Sequence, residues 1–462
     1  MKKIILSVNA GSSSVKVSVY EATAHSSPTQ LAEAQVSGLT SPPPKLSYTR
    51  GGHKVAKDKE LDEGGGNDKG SGEGKVAAQS DAFRIILSTL TNDKELAQID
   101  AKDDIAIVVH RIVHGGDFRS AQVINQATYH RLEALNDLAP LHNAPSLEIV
   151  KNCMEQLPQA TNVACFDSQF HASIPLHVRT YPIDQEIAKK NGLRKYGFHG
   201  ISYSFITRTA AEFLGKPVEK VNLIALHLGS GASACAIKGG KSWDTSMGLT
   251  PLAGLPGATR SGSIDPSLVF HYASDVGKLS PASTKELHIS LAETILNKQA
   301  GWKALTGTTN FGTIAESADP KHKLAFDLFV DRICGFVGSY FVALRGQVDA
   351  LVFAGGIGEK SDRLRKAVVD QCACLGFEID DAKNETQAEE ETSKVTRELS
   401  SAAAAAGQQQ RDGSRRAALR VLIVQTDEQY EMAHAAAQDP PLWADWDEVP
   451  DLESLKVQGE HQ

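Results

Sequence analysis

Five side chains carry most of the chemistry that this 462-residue sequence could perform: Arg111, Asp167, His199, Arg260 and Glu428. Each stands in a polar stretch directly after or between apolar runs, so each is placed on a loop next to a buried element rather than on a polar helix face. Two guanidiniums can neutralise a phosphoryl group during transfer, and carboxylates can hold the magnesium ion that travels with it. Taken singly, each of the five also fits a surface ion pair or a structural hydrogen bond. His110 and His114 could share a metal only if their segment were helical, and it follows a strand pattern. His171, after Phe170, reads as a structural residue or one lying behind the site.

Two hairpins must position these groups. Ile4 to Tyr20 reads IILSVNAGSSSVKVSVY, two strand-like runs joined by Asn9-Ala10-Gly11-Ser12-Ser13-Ser14. The first run is apolar enough for burial on both faces, and Val15, Val17 and Val19 alternate with polar residues as in a half-buried strand. Gly11 lets the backbone approach an anion, and Ser12, Ser13, Ser14 and Lys16 add donors around it. A plain hairpin with a Ser-rich tip is the alternative. The pattern returns at Leu223 to Ile237, LIALHLGSGASACAI, with His227 opposite Asn9 and Gly229 opposite Gly11. Two related halves facing one cleft would explain the repeat. A third glycine-rich turn, Gly355-Gly356-Ile357-Gly358, lies between a buried strand and a well-signalled helix. There, backbone amides and a helix N-terminus could meet a nucleotide, although such runs are common.

The remaining chain reads as strands alternating with helices, each half opening on a hairpin. The fold class is therefore α/β with a mixed sheet in each half, and the polar clusters sit just after strands, where ligands collect in open sheets. Helices are expected near Asp81 to Leu90, over 132–138, 147–156, 202–214, 284–299, 324–344 and 361–375, and after Glu428. Loops are expected at Ala139 to Pro145 and Ser242 to Pro266. Residues 38–79 are crowded with Gly, Pro, Lys and Glu and read mostly as a disordered insertion; 384–416 reads as a second low-complexity insertion. At this length two domains are expected, 1–168 and 169–427, with 428–462 forming a C-terminal helix that packs back on the first.

Hydrophobic residues at 41% and charged residues at 23% are ordinary globular values. With 48 Lys and Arg against 56 Asp and Glu, the net charge is −8, which argues against nucleic-acid binding through a basic surface. Small molecules are the expected partners. The six cysteines form neither a zinc pattern nor a disulfide framework. No stretch approaches a membrane span, and the apolar run after Lys2-Lys3 is too short for a signal peptide. A reducing, cytoplasmic setting is the expectation.

Taken together, VNAGSSSVK, HRIVHGG, APLHNAP, FDSQFH, RKYGFHG, HLGSGAS, GGKSWDTSMGLTPL, TRSGSIDP, AGGIGE and QTDE resemble, in order and approximate spacing, the acetate kinase family. The resemblance covers nearly the whole chain outside the two insertions. It implies two ribonuclease H-like domains of the actin, Hsp70 and sugar kinase type around a central cleft. It also implies a homodimer, and reversible, magnesium-dependent phosphoryl transfer between ATP and acetate, giving acetyl phosphate and ADP. Carried onto matching positions, Arg111 and Arg260 would bind the carboxylate and phosphoryl group, and His199 would hold that group in the transition state. Asn9, Asp167 and Glu428 would order the magnesium and phosphate end, with Asn9 and Glu428 nearest the metal. Val113, Leu141, Phe198 and Pro251 would wall the acetate pocket, and His142 and His227 match further active-site histidines. The nucleotide would lie along Ser12, Ser14, Lys16, His227, Gly229, Ser230, Gly231, the segment Asn310-Phe311-Gly312, and Gly355, Gly356, Ile357 and Gly358. A carboxylate is already a competent nucleophile, so positioning and charge neutralisation suffice without a general base.

Three departures from the family pattern stand out: Ser230 and Lys360 each stand where Asn is usual, and Asn310-Phe311-Gly312 replaces Asp-Phe-Arg. The long insertions suggest a eukaryotic, fungal-type member. Two other readings stay open. A propionate or butyrate kinase would share the chemistry in a larger pocket, and an actin- or Hsp70-like switch would need neither an acyl pocket nor paired arginines.

Overall fold

Strands β1 (Lys3–Ala10) and β2 (Ser14–Ala22) form the expected antiparallel hairpin, in register from Lys3 opposite Ala22 to Ala10 opposite Val15. The computed structural model describes residues 1–11, 13–39, 43–61, 78–135, 140–272, 278–280, 283, 289–385, 395–401 and 419–443, side chains at 140–142 excepted. Three more strands extend the hairpin on its β2 side: β3 (Thr29–Ser37), β4 (Lys45–Arg50) and β5 (His53–Glu60). On the β1 side lie β6 (Ile105–Ile112), β7 (Gln122–Val123) and β8 (Thr161–Phe166). The sheet order is β5-β4-β3-β2-β1-β6-β8-β7, with β1, β6 and β8 parallel.

A second sheet repeats this plan. Strands β9 (Leu223–Leu228), β10 (Ala232–Lys238), β11 (Lys241–Thr245), β12 (Ala350–Ala354), β13 (Thr396–Glu398) and β14 (Arg420–Val424) run in the order β11-β10-β9-β12-β14-β13. Here β9, β12 and β14 are parallel and the other neighbours antiparallel. Strand for strand this matches β3-β2-β1-β6-β8-β7, sense included, so the repeat seen in the two hairpins extends through both sheets. The first sheet differs by its added hairpin β4–β5.

Helices cover both faces of each sheet, because strands such as Ile5–Val8 and Leu351–Phe353 are apolar on both sides and must be shielded twice. On the first sheet, Phe83, Ile86 and Leu90 of helix Gln79–Asn92 pack with Ile149 and Cys153 of helix Pro140–Gln156. On its other face lie Met432 and Ala436 of helix Glu428–Ala437. The second sheet is covered by Phe329, Ile333 and Val337 of helix Pro320–Ala343 and by Leu364 and Val368 of helix Asp362–Gln371. Its opposite face takes Tyr203, Ile206 and Ala210 of helix Gly200–Phe213. The last helix thus follows a strand of the second sheet but packs on the first, and the cleft opens where the chain crosses.

Several expectations require correction. Residues 38–79 are not simply disordered, since β4 and β5 occupy 45–60 and bury Leu46 and Tyr48. Only two inward apolar residues are needed on so short an edge strand, so the lysine-rich composition concealed the alternation. Likewise β13 falls inside 384–416, and Leu399, Ser400 and Asn384 are buried. Residues 40–42, 62–77, 386–394 and 402–416 of these two stretches lie outside the described residues. Of the loop expected at 139–145, residue 139 lies outside the described residues and 140–145 belong to helix Pro140–Gln156, which runs through Pro145 and forgoes one backbone hydrogen bond there. Strand β11 takes the start of the long loop at 242–266. Of the helix expected over 132–138, residues 132–134 belong to helix Gln126–Ala134, capped by Asn125, and 136–138 lie outside the described residues; of the one expected over 284–299, helix Leu291–Lys298 is present, capped by Ser290, and 284–288 lie outside the described residues.

Candidate active site

The parallel strands β1, β6 and β8 end at one edge, which brings Asn9, Arg111 and Asp167 together. Arg111 donates from Nε and Nη2 to the two oxygens of Asp167 at 3.1 and 2.7 Å, and from Nη1 to Asn9 Oδ1 at 3.4 Å. Glu428 Oε2, at the start of the last helix, lies 3.4 Å from Arg111 Nε. Burial works against the charge on Arg111, yet Asp167 and then Glu428 raise its pKa above the ordinary value. Burial in turn pushes the Asp167 carboxyl upward, and Arg111 opposes it.

Arg260 faces this pair from the loop after β11, and its situation is the reverse. Its Nη1 reaches the Pro251 carbonyl at 3.5 Å, and it has no carboxylate partner among the described residues. Burial, and then the charge of Arg111, lower its pKa. The guanidinium lies against the turn of the second hairpin, where a Cβ on Gly231 would come within 2.8 Å of Nη1. The absence of a side chain at Gly231 lets the guanidinium lie against the turn, and a half-buried cation without a carboxylate partner is what an incoming anion would neutralise.

The two histidines are held on the second sheet's side. His199 takes a left-handed backbone conformation, φ +59°, immediately before helix Gly200–Phe213, a strain on the order of 1–3 kcal/mol. Its Nδ1 lies 2.8 Å from Ser233 Oγ, itself 2.6 Å from the Tyr203 hydroxyl. His227 Nδ1 lies 2.8 Å from Ser202 Oγ, which is 2.8 Å from Thr426 Oγ1. The rings stack with centroids 4.2 Å apart. Burial holds His227 at a pKa of about 4, and burial followed by His227 and the two arginines pushes His199 well below its ordinary value. Both imidazoles are therefore neutral near pH 7. In the arrangement where Tyr203 donates to Ser233 and Ser233 to Nδ1, His199 would present Nε2–H as a donor.

Two cavities meet at these residues. A cleft of about 1320 Å³ is lined by Asn9, Lys16, His227, Gly229, Ser230, Gly231, Gly355, Gly356, Glu359 and Glu428. A smaller cavity of about 340 Å³ is lined by Gly11, Val113, Pro145, Asp167, Phe198, Pro251, Thr259, Asn297 and Lys298. Arg111, His199 and Arg260 line both. The arrangement can hold a long anionic ligand in one space and a small apolar acid in the other, with the cations at the junction.

The smaller cavity is braced from behind. Asn143 accepts from the His114 backbone N–H at 2.9 Å and donates to its carbonyl at 3.0 Å, fixing the loop that carries Val113. His171 bonds through Nε2 to the Phe198 carbonyl at 2.9 Å and through Nδ1 to Ser242 Oγ at 2.7 Å, so it supports the site structurally. His110 pairs with Asn162 at 2.8 Å and His114 with the Leu249 carbonyl at 3.2 Å.

A sequence profile of the acetokinase family matches residues 4–408. The chain belongs to the acetokinase family. It is a phosphotransferase whose acceptor is a carboxyl group. A Neurospora crassa protein named probable acetate kinase is 62% identical over 460 residues, covering 96% of this chain and 95% of that protein. Among solved structures, a propionate kinase from Francisella tularensis aligns with a TM-score of 0.75 at 32% identity, over 94% of this chain and 98% of that one. An acetate kinase from Porphyromonas gingivalis aligns with a TM-score of 0.74 at 30% identity, over 93% and 98%. The fungal relative agrees with the fungal-type character expected from the insertions.

Not every residue singled out for a family role reaches the cleft. Ser12 lies outside the described residues, as do the side chains of Leu141 and His142. Ser14 opens β2, with its carbonyl accepting from the Gly11 N–H at 2.9 Å. Ile357 packs on the core and Gly358 lies against Leu228 and Phe353, leaving Gly355 and Gly356 to face the cleft. Gly355 has φ +74°, a conformation that favours glycine, and a Cβ there would meet Leu228 backbone at 2.8 Å. The segment Asn310-Phe311-Gly312 lines neither cavity. Asn310 caps helix Phe311–Glu316, and Phe311 is packed among Trp302, Phe326 and Phe329, so its ring cannot stack on a base. Sequence reasoning missed Glu359, which accepts from the Thr426 N–H at 3.4 Å and whose pKa is raised by burial. Its signal was the acidic end of AGGIGE. Asn297 and Lys298 were also missed, being ordinary helix residues in sequence.

Kinases of this family generally need a divalent metal. Among the described residues no group of three or more His, Cys, Asp or Glu could hold one alone. The oxygens of Asn9 and Glu428 beside the phosphate space nevertheless suit a hard cation that arrives on a nucleotide and keeps most of its ligands as phosphate and water.

Proposed function

We infer that the protein is an acetate kinase, transferring the terminal phosphoryl group of ATP to the carboxylate of acetate in a reversible, direct in-line step. A carboxylate oxygen forms the new bond to phosphorus while the bond to the bridging oxygen breaks. Acetyl phosphate forms, and ADP departs with the electron pair. The observation that carries this reading is Arg260, a half-buried guanidinium without a carboxylate partner among the described residues, at the junction of the two cavities and opposite the fully engaged Arg111.

Acetate would lie with its methyl group against Val113, Phe198 and Pro251 and its carboxylate toward Arg111. Arg260 would neutralise the phosphoryl group in flight, and His199, presenting a neutral N–H, would donate to it. The triphosphate would follow Gly229 to Gly231 and Lys16 toward Gly355 and Gly356. Mg2+ on the nucleotide, held by Asn9 and Glu428, would supply charge neutralisation. Asp167 would orient Arg111 through its bidentate pair. Because Phe311 is in the core and Gly312 bears no side chain, triphosphate contacts should dominate over base contacts, with GTP or ITP used within about tenfold of ATP, a gap of ~1.4 kcal/mol. Domains 1–168, 169–427 and 428–462, a homodimeric assembly and a cytoplasmic setting complete the reading. Exposed Phe270, Tyr272 and Val342 offer apolar surface for a second copy.

Trapping the acyl phosphate as a hydroxamate, with acetate, propionate and butyrate against ATP, GTP and pyrophosphate, tests the proposal. Acetate with ATP should be the best pair. Turnover with pyrophosphate alone would overturn the nucleotide site, and a preference for propionate or butyrate would reassign the acyl pocket. ATP preferred above a hundredfold over GTP would overturn weak base selectivity.

A further inference from the structure

Behind the wall of the acyl pocket lies a separate cavity of about 190 Å³ whose charged lining is Arg119, Arg179, Arg194 and a single acid, Asp117. Arg194 is held in place: Nη2 donates to the Gly116 carbonyl at 3.3 Å and to Asp117 Oδ1 at 3.0 Å, and the guanidinium lies 3.8 Å from the centre of the Tyr196 ring. The guanidiniums of Arg119, which is exposed, and Arg179, which is half-buried, have no hydrogen-bond or ion-pair partner among the described residues. Ser168, 5% exposed, also lines the cavity. Its Oγ accepts from the Gly115 N–H at 3.0 Å, and its own hydrogen has no acceptor among the described residues.

We propose that this cavity is a binding site for a phosphate dianion, either free or carried on a small organic group. Three positive charges against one negative leave an excess suited to a dianion rather than to a monocarboxylate such as acetate. Guanidinium forks match a tetrahedral oxyanion through paired N–H donors, and the Ser168 hydroxyl adds another. The volume excludes a nucleoside triphosphate.

The location gives the site a consequence. Arg119 follows the loop that carries Val113, and Arg194 precedes the segment that carries Phe198 and His199, while His114 packs edge-on against both Tyr196 and Phe198 at 4.5 and 5.3 Å. An anion joining Arg119 to Arg179 and Arg194 ties together the two walls of the acyl cavity. Its occupancy should alter KM for acetate.

The test is equilibrium titration of the full-length protein with inorganic phosphate in a phosphate-free buffer. Arg260→Ala, altered in the cleft, should retain this binding within about threefold, whereas Arg119→Ala/Arg179→Ala should weaken it at least tenfold. Activity of that double variant without phosphate should stay within twofold of the parent. Arg179→Gln alone, with an unchanged unfolding midpoint, should weaken binding at least threefold, which separates charge loss from misfolding. Saturating phosphate should shift KM for acetate at least threefold in the parent and not in the double variant. A parallel titration with glycerol 3-phosphate assigns the ligand: tighter binding than phosphate points to an ester, equal or weaker binding to the free ion. Phosphate affinity unchanged in the double variant, or abolished by Arg260→Ala, overturns the site; an unchanged KM overturns its link to the acyl pocket.

Discussion

The two sheets share one strand plan and place opposite kinds of chemistry at the same edge. In the first, β1, β6 and β8 end in side chains that carry or bind charge: Asn9, Arg111 and Asp167. In the second, β9 ends in a turn and β12 runs directly into helix Gly355–Lys360, and the glycines there, Gly229, Gly231, Gly355 and Gly356, expose backbone to the cleft, beside the neutral His227. A duplicated frame thus supplies a fixed electrostatic wall on one side and a close-approach surface on the other. Phosphoryl transfer from a long anionic donor to a small acid needs both.

The contrast is tested most severely at the arginines. Arg260→Ala should lower kcat by roughly two to three orders of magnitude and leave the unfolding midpoint nearly unchanged, because no carboxylate is left unpaired. Arg111→Ala should cost as much in kcat and also destabilise the fold by ~3–5 kcal/mol, since it strands Asp167 at 1% exposure. Denaturant titration beside steady-state kinetics would show it, and near-normal kcat in either variant would sink the electrostatic role.

Next in size is the feature that distinguishes the sheets in extent. Removing residues 45–60 should lower stability by several kcal/mol, because it takes Leu46 and Tyr48 from the core, at ~1.5–3 kcal/mol per large apolar side chain, and bares β3. Shortening 62–74 alone should leave turnover within twofold, given how little apolar sequence it holds. Equal loss from both deletions would show that the added hairpin is not what separates the two stretches.

On the second sheet's side, Ser233→Ala and Tyr203→Phe should each lower kcat by about tenfold with KM for acetate little changed, because they release the tautomer of His199. An unaltered kcat in both would mean that the ring needs no such support.

Acid should expose burial common to both halves. His110, His114, His171 and His227 are all depressed by burial to about 4. Their folded pKa lies below the unfolded value of about 6.5, so the stability they confer is full above 6.5 and is lost as pH falls toward 4. Each contributes up to ~1.4 kcal/mol per pH unit across that window, opposed in part by the raised carboxyls of Asp167 and Glu359. Urea midpoints at pH 7.5 and 5.5 measure it, and a higher midpoint at 5.5 would contradict it.

The smallest effect concerns the acyl wall. Val113→Ala should improve kcat/KM for propionate relative to acetate only partially, since one methylene is worth ~1–3 kcal/mol at most. An unchanged ratio would place the acyl chain elsewhere.

What the sequence determined by itself was the α/β class, the paired hairpins and the reactive residues after strands, because strand period, glycine turns and ordered motifs are local properties of the chain. It misread 45–60 and 140–145, where a few inward residues or the Asn143 clamp on His114 outweigh composition and proline. Only the tertiary structure decided that Arg111 is paired while Arg260 is not, and that Phe311 belongs to the core rather than to the cleft. These are facts about neighbours distant in sequence: Asp167 lies 56 residues beyond Arg111. Charge pairing and burial are fixed by which strand ends converge, and that convergence exists only once both sheets have formed.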